Sequence, residues 1–193
     1  FGINAEYIID HAWGREPATI ASIKKYRPKN ESINNSQVLF SDYEYEDAIL
    51  VVKEMVELNV LRLVESRLVT NHISLYIGYS RTDGGGWAGG SRKLTVRTNS
   101  LSVLMDAFIS IYHLKVQKGR LIRQISISFG DVLDESYESY DLFSDIEALE
   151  EEKKLQKAIV SIRHKYGKNA ILKLMNKQEK ATTEKRNTLI GGH

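Results

Sequence analysis

The chain has 193 residues, 42% apolar and 27% charged; 27 Lys and Arg against 25 Asp and Glu leave a formal charge of +2, and there is no cysteine. Such a length holds one large domain or two small ones around a sizeable core, and that apolar share excludes global disorder. Disulfides, Cys-type zinc or iron–sulfur sites and thiol chemistry are excluded, no apolar run reaches the ~18 residues of a membrane span, and no charged-then-apolar leader opens the chain, all compatible with a reducing cytoplasm.

In chain order, residues 1–13 read as a short helical remnant, and 1–16 as the end of a domain that precedes them. Both prolines, Pro17 and Pro28, fall in the next stretch, where proline removes backbone donors and pushes its neighbour away from helix. Residues 17–35 therefore read as an extended connector. The stretch from Arg15 to Lys29 is basic as well: Arg15, Lys24, Lys25, Arg27 and Lys29 stand against Glu16 alone.

Residues 36–132 alternate between two periodicities. A short strand is predicted over 36–40, followed by a helix whose capping box is Ser41 with Glu44. That helix reaches about residue 67, with Ile49, Val52, Val56, Val60 and Leu63 on one stripe. A second strand spans 72–79, with Ile73, Leu75, Ile77 and Tyr79 facing one way. The glycine-rich run 83–90 leads into a third strand over 93–98. Asn99 or Ser100 caps a second helix to about residue 115, with Leu101, Leu104, Phe108 and Ile111 on its stripe. A fourth strand at 123–129 closes the series. The order is β-α-β-β-α-β, an α+β, ferredoxin-like arrangement in which both helices cover one face of a four-stranded sheet. The opposite face then carries Ser74, Tyr76, Lys93, Thr95, Arg97, Gln124, Ser126 and Ser128, a small, polar and basic set with no acid.

From 131 to 152 there are ten acids and no base, and from 153 to 193 eleven bases and two acids. Residues 133–144 read as an unfolded acidic linker with one apolar knot. A helix follows from Asp145 to about residue 166 with Gly167 at its C-cap, then a short helix at 169–176 and a mobile basic tail; residues 145–193 form a C-terminal helical extension.

Little in the chain suits catalysis. The glycine run lacks the Gly-Lys-Ser/Thr ending of a phosphate loop and joins two strands, so it reads as a hairpin loop; Trp87 within it either stacks on a ligand or folds back onto the sheet. The five histidines are far apart, and no carboxylates cluster as two-metal chemistry requires. The chain is expected to catalyse nothing by itself.

These segments also carry a family likeness. Gly2-Ile3-Asn4-Ala5-Glu6 through His11-Ala12-Trp13-Gly14-Arg15 resembles the end of the thumb of Y-family translesion DNA polymerases, in the Gram-positive, UV-damage-repair branch of the ImpB/MucB/SamB group. Residues 29–132 resemble the little-finger domain of that family, down to Tyr79-Ser80-Arg81 and Lys93-Leu94-Thr95-Val96-Arg97-Thr98-Asn99-Ser100, and the ending from Arg186 to His193 resembles this branch's C-terminus.

The resemblance implies an error-prone polymerase of SOS-type damage tolerance whose palm, with its Mg2+ carboxylates, lies before Phe1. It implies an open sheet face that holds primer–template DNA without regard to sequence. Lys24, Lys25, Arg27, Lys29, Lys93, Arg97 and Arg123 are then the phosphate contacts, with Thr95 and Ser126 as neutral partners. It also implies the bacterial sliding clamp as a partner. Clamp peptides of the family resemble Gln-Leu-Ser/Asp-Leu-Phe, and Tyr140-Asp141-Leu142-Phe143 keeps the last three positions; the plain alternative is that Leu142 and Phe143 pack on the following helix. A monomeric, cytoplasmic, nucleoid-associated protein without a cofactor of its own is expected. Two rival functions are a ferredoxin-like RNA-binding module and a non-catalytic adaptor docking through the acidic segment.

Overall fold

A computed structural model describes residues 5–16, 18–25, 32–142 and 144–189. Helix α1 (Ala5–Ala12) and a six-residue helix α2 (Ile20–Lys25) come first. The second corrects the extended reading of this stretch: Thr19 and Ser22 exchange backbone-to-hydroxyl bonds of 3.0 and 3.1 Å, which start a helical turn.

The folded unit then runs β1 (Ile33–Tyr43), α3 (Tyr45–Glu65), β2 (Leu68–Tyr79), β3 (Trp87–Thr98), α4 (Leu101–Lys115) and β4 (Ile122–Gly130). The four long strands are antiparallel neighbours in the order β1-β4-β2-β3. In the ferredoxin-like order the first and third strands are central; here the second and fourth are. A two-residue strand, β5 (Leu133–Asp134), pairs with the start of β2.

The core lies between the sheet and the two helices. Ile73, Leu75, Ile77, Ile125, Ile127 and Phe129 from the central strands meet Val52, Val56, Val60 and Leu63 of α3 and Leu104, Phe108 and Ile111 of α4, all buried. Each fully buried side chain of this size contributes about 1.5–3 kcal/mol. Ser100 caps α4 by accepting from the Val103 amide at 3.3 Å. The predicted Ser41–Glu44 capping box does not form: β1 continues to Tyr43, α3 starts at Tyr45, and the side chain of Glu44 caps nothing.

The C-terminal part is also folded, which corrects the unfolded linker and mobile tail. Residues 133–139 are held by β5, by the Arg97 and Ser139 backbones (2.9 Å), and by Lys153, which pairs with Glu135 at 2.7 Å and Glu138 at 2.6 Å. Burial pulls the Lys153 ammonium down, but these carboxylates more than offset it and hold the group above the usual lysine range. Helix α5 (Ile146–Tyr166) is capped by Asp145 and Gly167 and packs on α3, while its Glu152 accepts from Ser100 and Ser102 at the start of α4. In place of a helix at 169–176 there is a 3-10 turn, Leu174–Lys177, and then α6 (Thr183–Thr188). Both are fastened to the buried Glu54 of α3. Its carboxylate accepts from Asn176 Nδ2 (3.0 Å), the Thr182 amide and hydroxyl (2.7 and 3.0 Å) and the Thr183 amide (3.2 Å). The far face of the sheet stays open to solvent: Asn34, Ser36, Val38 and Tyr76 are exposed there, and Ser74, Gln124, Ser126 and Ser128 are half-buried.

Candidate nucleic-acid interface

Strand alternation sends every second side chain away from the helices, and the register arranges these into rows across the sheet. One row is Asn34, Ser128, Ser74 and Ser91. The next is Ser36, Ser126, Tyr76 and Gly89, and beyond it Val38, Gln124, Gly78 and Trp87. At the other end Gly130, His72 and Lys93 lie side by side. Nearly all of these side chains are neutral and short, and their hydroxyls are wired together: Ser126 bonds Ser36 at 2.6 Å, Gln124 bonds Ser36 at 3.2 Å, and Ser128 donates to Asn34.

Two features shape the rim. The Trp87 ring stacks on Tyr76 with centroids 5.9 Å apart and an interplanar angle of 17°. Gly89 has φ of 132°, and a Cβ there would stand 2.0 Å from the Leu75 carbonyl oxygen, so only glycine lets β3 approach β2 this closely. The glycine run 84–86 forms a strand-to-strand loop, fastened by Arg120, whose guanidinium bonds Asp83 Oδ2 (2.7 Å) and the Gly85 carbonyl (2.8 Å). Those bonds hold the Asp83 carboxyl below the usual aspartate range.

The structure distributes the sequence-predicted residues unevenly. Lys93 and Ser126 lie on the open face, with Lys93 opposite His72 and Ser126 opposite Tyr76 and Ser36. Thr95 and Arg97 lie within an irregular stretch in which residues 93–98 of β3 run against 70–72 of β2. Thr95 is exposed, whereas Arg97 donates to the Asp131 carbonyl and its backbone engages Ser139. Arg123 sits in a bulge of β4 and faces Asp42 at 3.6 Å. That exposed pair is a weak one. Asp42 also accepts from Ser80 at 2.8 Å and Thr82 at 3.0 Å, so it belongs to the loop rather than to the rows. Lys24 and Lys25 are exposed on α2; Arg27 and Lys29 lie outside the described residues.

Sequence reasoning missed Asn34, Ser36, Val38, Ser91 and His72. The first three belong to β1, whose other side carries Asn35 and Gln37 instead of apolar residues, because α6 covers it: Arg186 reaches Asn35 at 3.3 Å and Thr182 reaches Gln37 at 3.4 Å. With polar side chains on both sides, the strand shows no period-2 signal.

In the acidic segment Tyr140 is half-exposed and Leu142 is 99% exposed, so Leu142 does not pack on α5. A turn closed by Asp141 and Ser144 presents it; Phe143 lies outside the described residues. Among the described residues no three His, Cys, Asp or Glu side chains come together as metal ligands, and no helix is long and apolar enough to cross a membrane.

The profile of the impB/mucB/samB family C-terminal domain matches residues 30–142. "Putative UV-damage repair protein UvrX" of Bacillus subtilis (strain 168) is 30% identical over 196 residues, covering all of this chain and 45% of that protein. The chain thus spans less than half the length of this curated relative. A solved insertion ternary complex of Dbh DNA polymerase aligns at 10% identity with a TM-score of 0.40, over 68% of this chain and 36% of that one.

Proposed function

The chain belongs to the impB/mucB/samB family, whose C-terminal domain it carries, and from that premise we propose that it is the DNA-holding part of an error-prone Y-family translesion polymerase acting in UV-damage repair. The observation that carries this reading is the helix-free sheet face, whose rows of hydroxyl and amide side chains contain no carboxylate. Neutral donors of this kind fix a phosphate backbone without reading bases, which suits a template whose bases are damaged. Lys93 adds charge at one end, and Thr95, Arg97, Arg123, Lys24, Lys25, Arg27 and Lys29 complete the phosphate contacts. Fluorescence anisotropy of the chain with labelled primer–template tests this. Binding is independent of sequence and weakens with salt, and Lys93→Ala makes the log–log salt dependence shallower by about 0.9. Ser74→Glu, which puts a carboxylate in the middle of the face, lowers affinity at least tenfold while the fold is kept. Equal binding by Ser74→Glu and wild type overturns the assignment.

The sliding clamp is the second proposed partner, through Tyr140-Asp141-Leu142-Phe143. An apolar side chain as exposed as Leu142 gains nothing at home and is suited to fill a pocket elsewhere. Clamp retention that is unchanged by Leu142→Ala with Phe143→Ala removes this partner.

A further inference from the structure

Two aromatic residues on the open face stand apart from its hydroxyl rows. Across the β2–β3 pair, Tyr76 lies beside Gly89 and Trp87 beside Gly78. Glycine on the partner strand leaves a ring room to lie down on the sheet: a Cβ at Gly78 would stand 3.3 Å from Tyr76 Cε1 and 3.5 Å from its hydroxyl. With the Tyr76 ring over Gly78, the Trp87 ring stacks on it, nearly parallel. The indole therefore has a fixed tilt and one supported side, yet it is 65% exposed, and Tyr76 39%. Backing by Tyr76 accounts for the orientation of the indole, but not for so large an aromatic surface kept in water.

The surroundings decide what suits that surface. Gly78, Gly89, Gln124 and Ser126 border the two rings in the register, and Val38 stands beyond Gln124. The apolar area is thus about one ring system wide, far short of the ~800 Å² per partner of a stable protein interface. The carboxylates at this end of the sheet are engaged: Asp83 by Arg120 at 2.7 Å, and Asp42 by Ser80, Thr82 and Arg123. Arg81 belongs to the loop that leads into Trp87, is exposed and forms no ion pair among the described residues. A flat, fixed, uncharged ring beside hydroxyls, with a cation in its loop, fits a planar heterocycle carried on a phosphate chain.

We propose that Trp87, backed by Tyr76, is a stacking platform for one unpaired base of single-stranded DNA, next to the rows that hold the backbone. The choice of DNA rests on the function proposed above. Every base has a π face, so stacking on an aromatic side chain tolerates any sequence and keeps the face indifferent to it. Bases inside a duplex are covered on both sides by their neighbours. The platform therefore adds affinity for a strand with free bases, whereas the hydroxyl rows act on any phosphate backbone.

The test uses the full chain with the exposed Trp13 changed, Trp13→Phe, which leaves Trp87 as the sole tryptophan. Titration with oligo-dT is expected to quench Trp87 emission saturably, while an abasic oligonucleotide of equal length binds without quenching. By anisotropy, Trp87→Leu is expected to weaken oligo-dT binding about tenfold and to leave the abasic strand and a long blunt duplex unchanged; Trp87→Phe retains most of the affinity. Oligo-dT that binds without quenching, an abasic strand that quenches as strongly, or oligo-dT binding unchanged by Trp87→Leu overturns the proposal. Equal losses by Trp87→Leu on all three ligands overturn it as well, since the ring would then serve only the shape of the face. The abasic strand and the duplex report on the backbone-holding rows alone, so their failure to bind counts against the function proposed above, and a failure confined to oligo-dT counts against the platform.

Discussion

The two sides of the sheet differ in where their polar groups point and in what holds them. On the open side Asn34, Ser36, Ser74, Ser91, Ser126 and Ser128 are short and neutral, and Ser126 with Ser36 and Ser128 with Asn34 support one another by hydrogen bonds. On the helical side the polar groups are long and charged, and several are buried: Glu54 holds the 3-10 turn and α6, while Glu57 reaches Lys173 at 3.7 Å, its carboxyl raised by burial more than its cations lower it. The comparison separates two tasks that net charge conflates. Most of the chain's basic C-terminal block is used to dock helices behind the sheet, and the exposed face is recognisable by its lack of acids more than by cations of its own.

The sharpest way to break the comparison is Glu54→Ala. It strands the donors of Asn176, Thr182 and Thr183 and is expected to cost about 3 kcal/mol in denaturant unfolding, with residues 174–189 becoming the first site of limited proteolysis. Duplex binding should survive this change if the two sides are independent. On the open side, Gly89→Ala forces a Cβ against the Leu75 carbonyl and is expected to cost about 2 kcal/mol of thermal stability, with loss of the Trp87–Tyr76 stack read by tryptophan fluorescence. The smallest effect belongs to Asp83→Asn. Because the Asp83 carboxyl is depressed in the folded state, its contribution is present above the ordinary value of 3.8 and fades as the pH falls below it. Wild type and variant should therefore differ slightly at neutral pH and converge in acid.

Much of this architecture is legible in the chain. The stripes of α3 and α4 and the alternation of β2 and β4 are local periodicities that name the core directly, and Ser74, Ser126 and Ser128 follow as its complement. Where the local pattern is interrupted, reading stops. The bulge that isolates Arg123 and the irregular stretch after Lys93 shift side chains off their expected faces, and no short-range signal marks them. Ser41 satisfies a capping motif in letters, but its backbone is held extended by the sheet until Tyr43.

Local order, then, was written in residue spacing: periods of two and of 3.6 sort apolar from polar side chains within a dozen residues, and they were enough for the element order and the acid-free face. What tertiary structure alone decided is everything that rests on partners far apart in the chain. Glu54 meets Thr182 across 128 residues, and Arg186 meets Asn35 across 151. Such pairs form because a buried charge or amide must find a partner somewhere, and the sequence does not say where. They turned a basic tail into a wall of the molecule and set its cations behind the sheet.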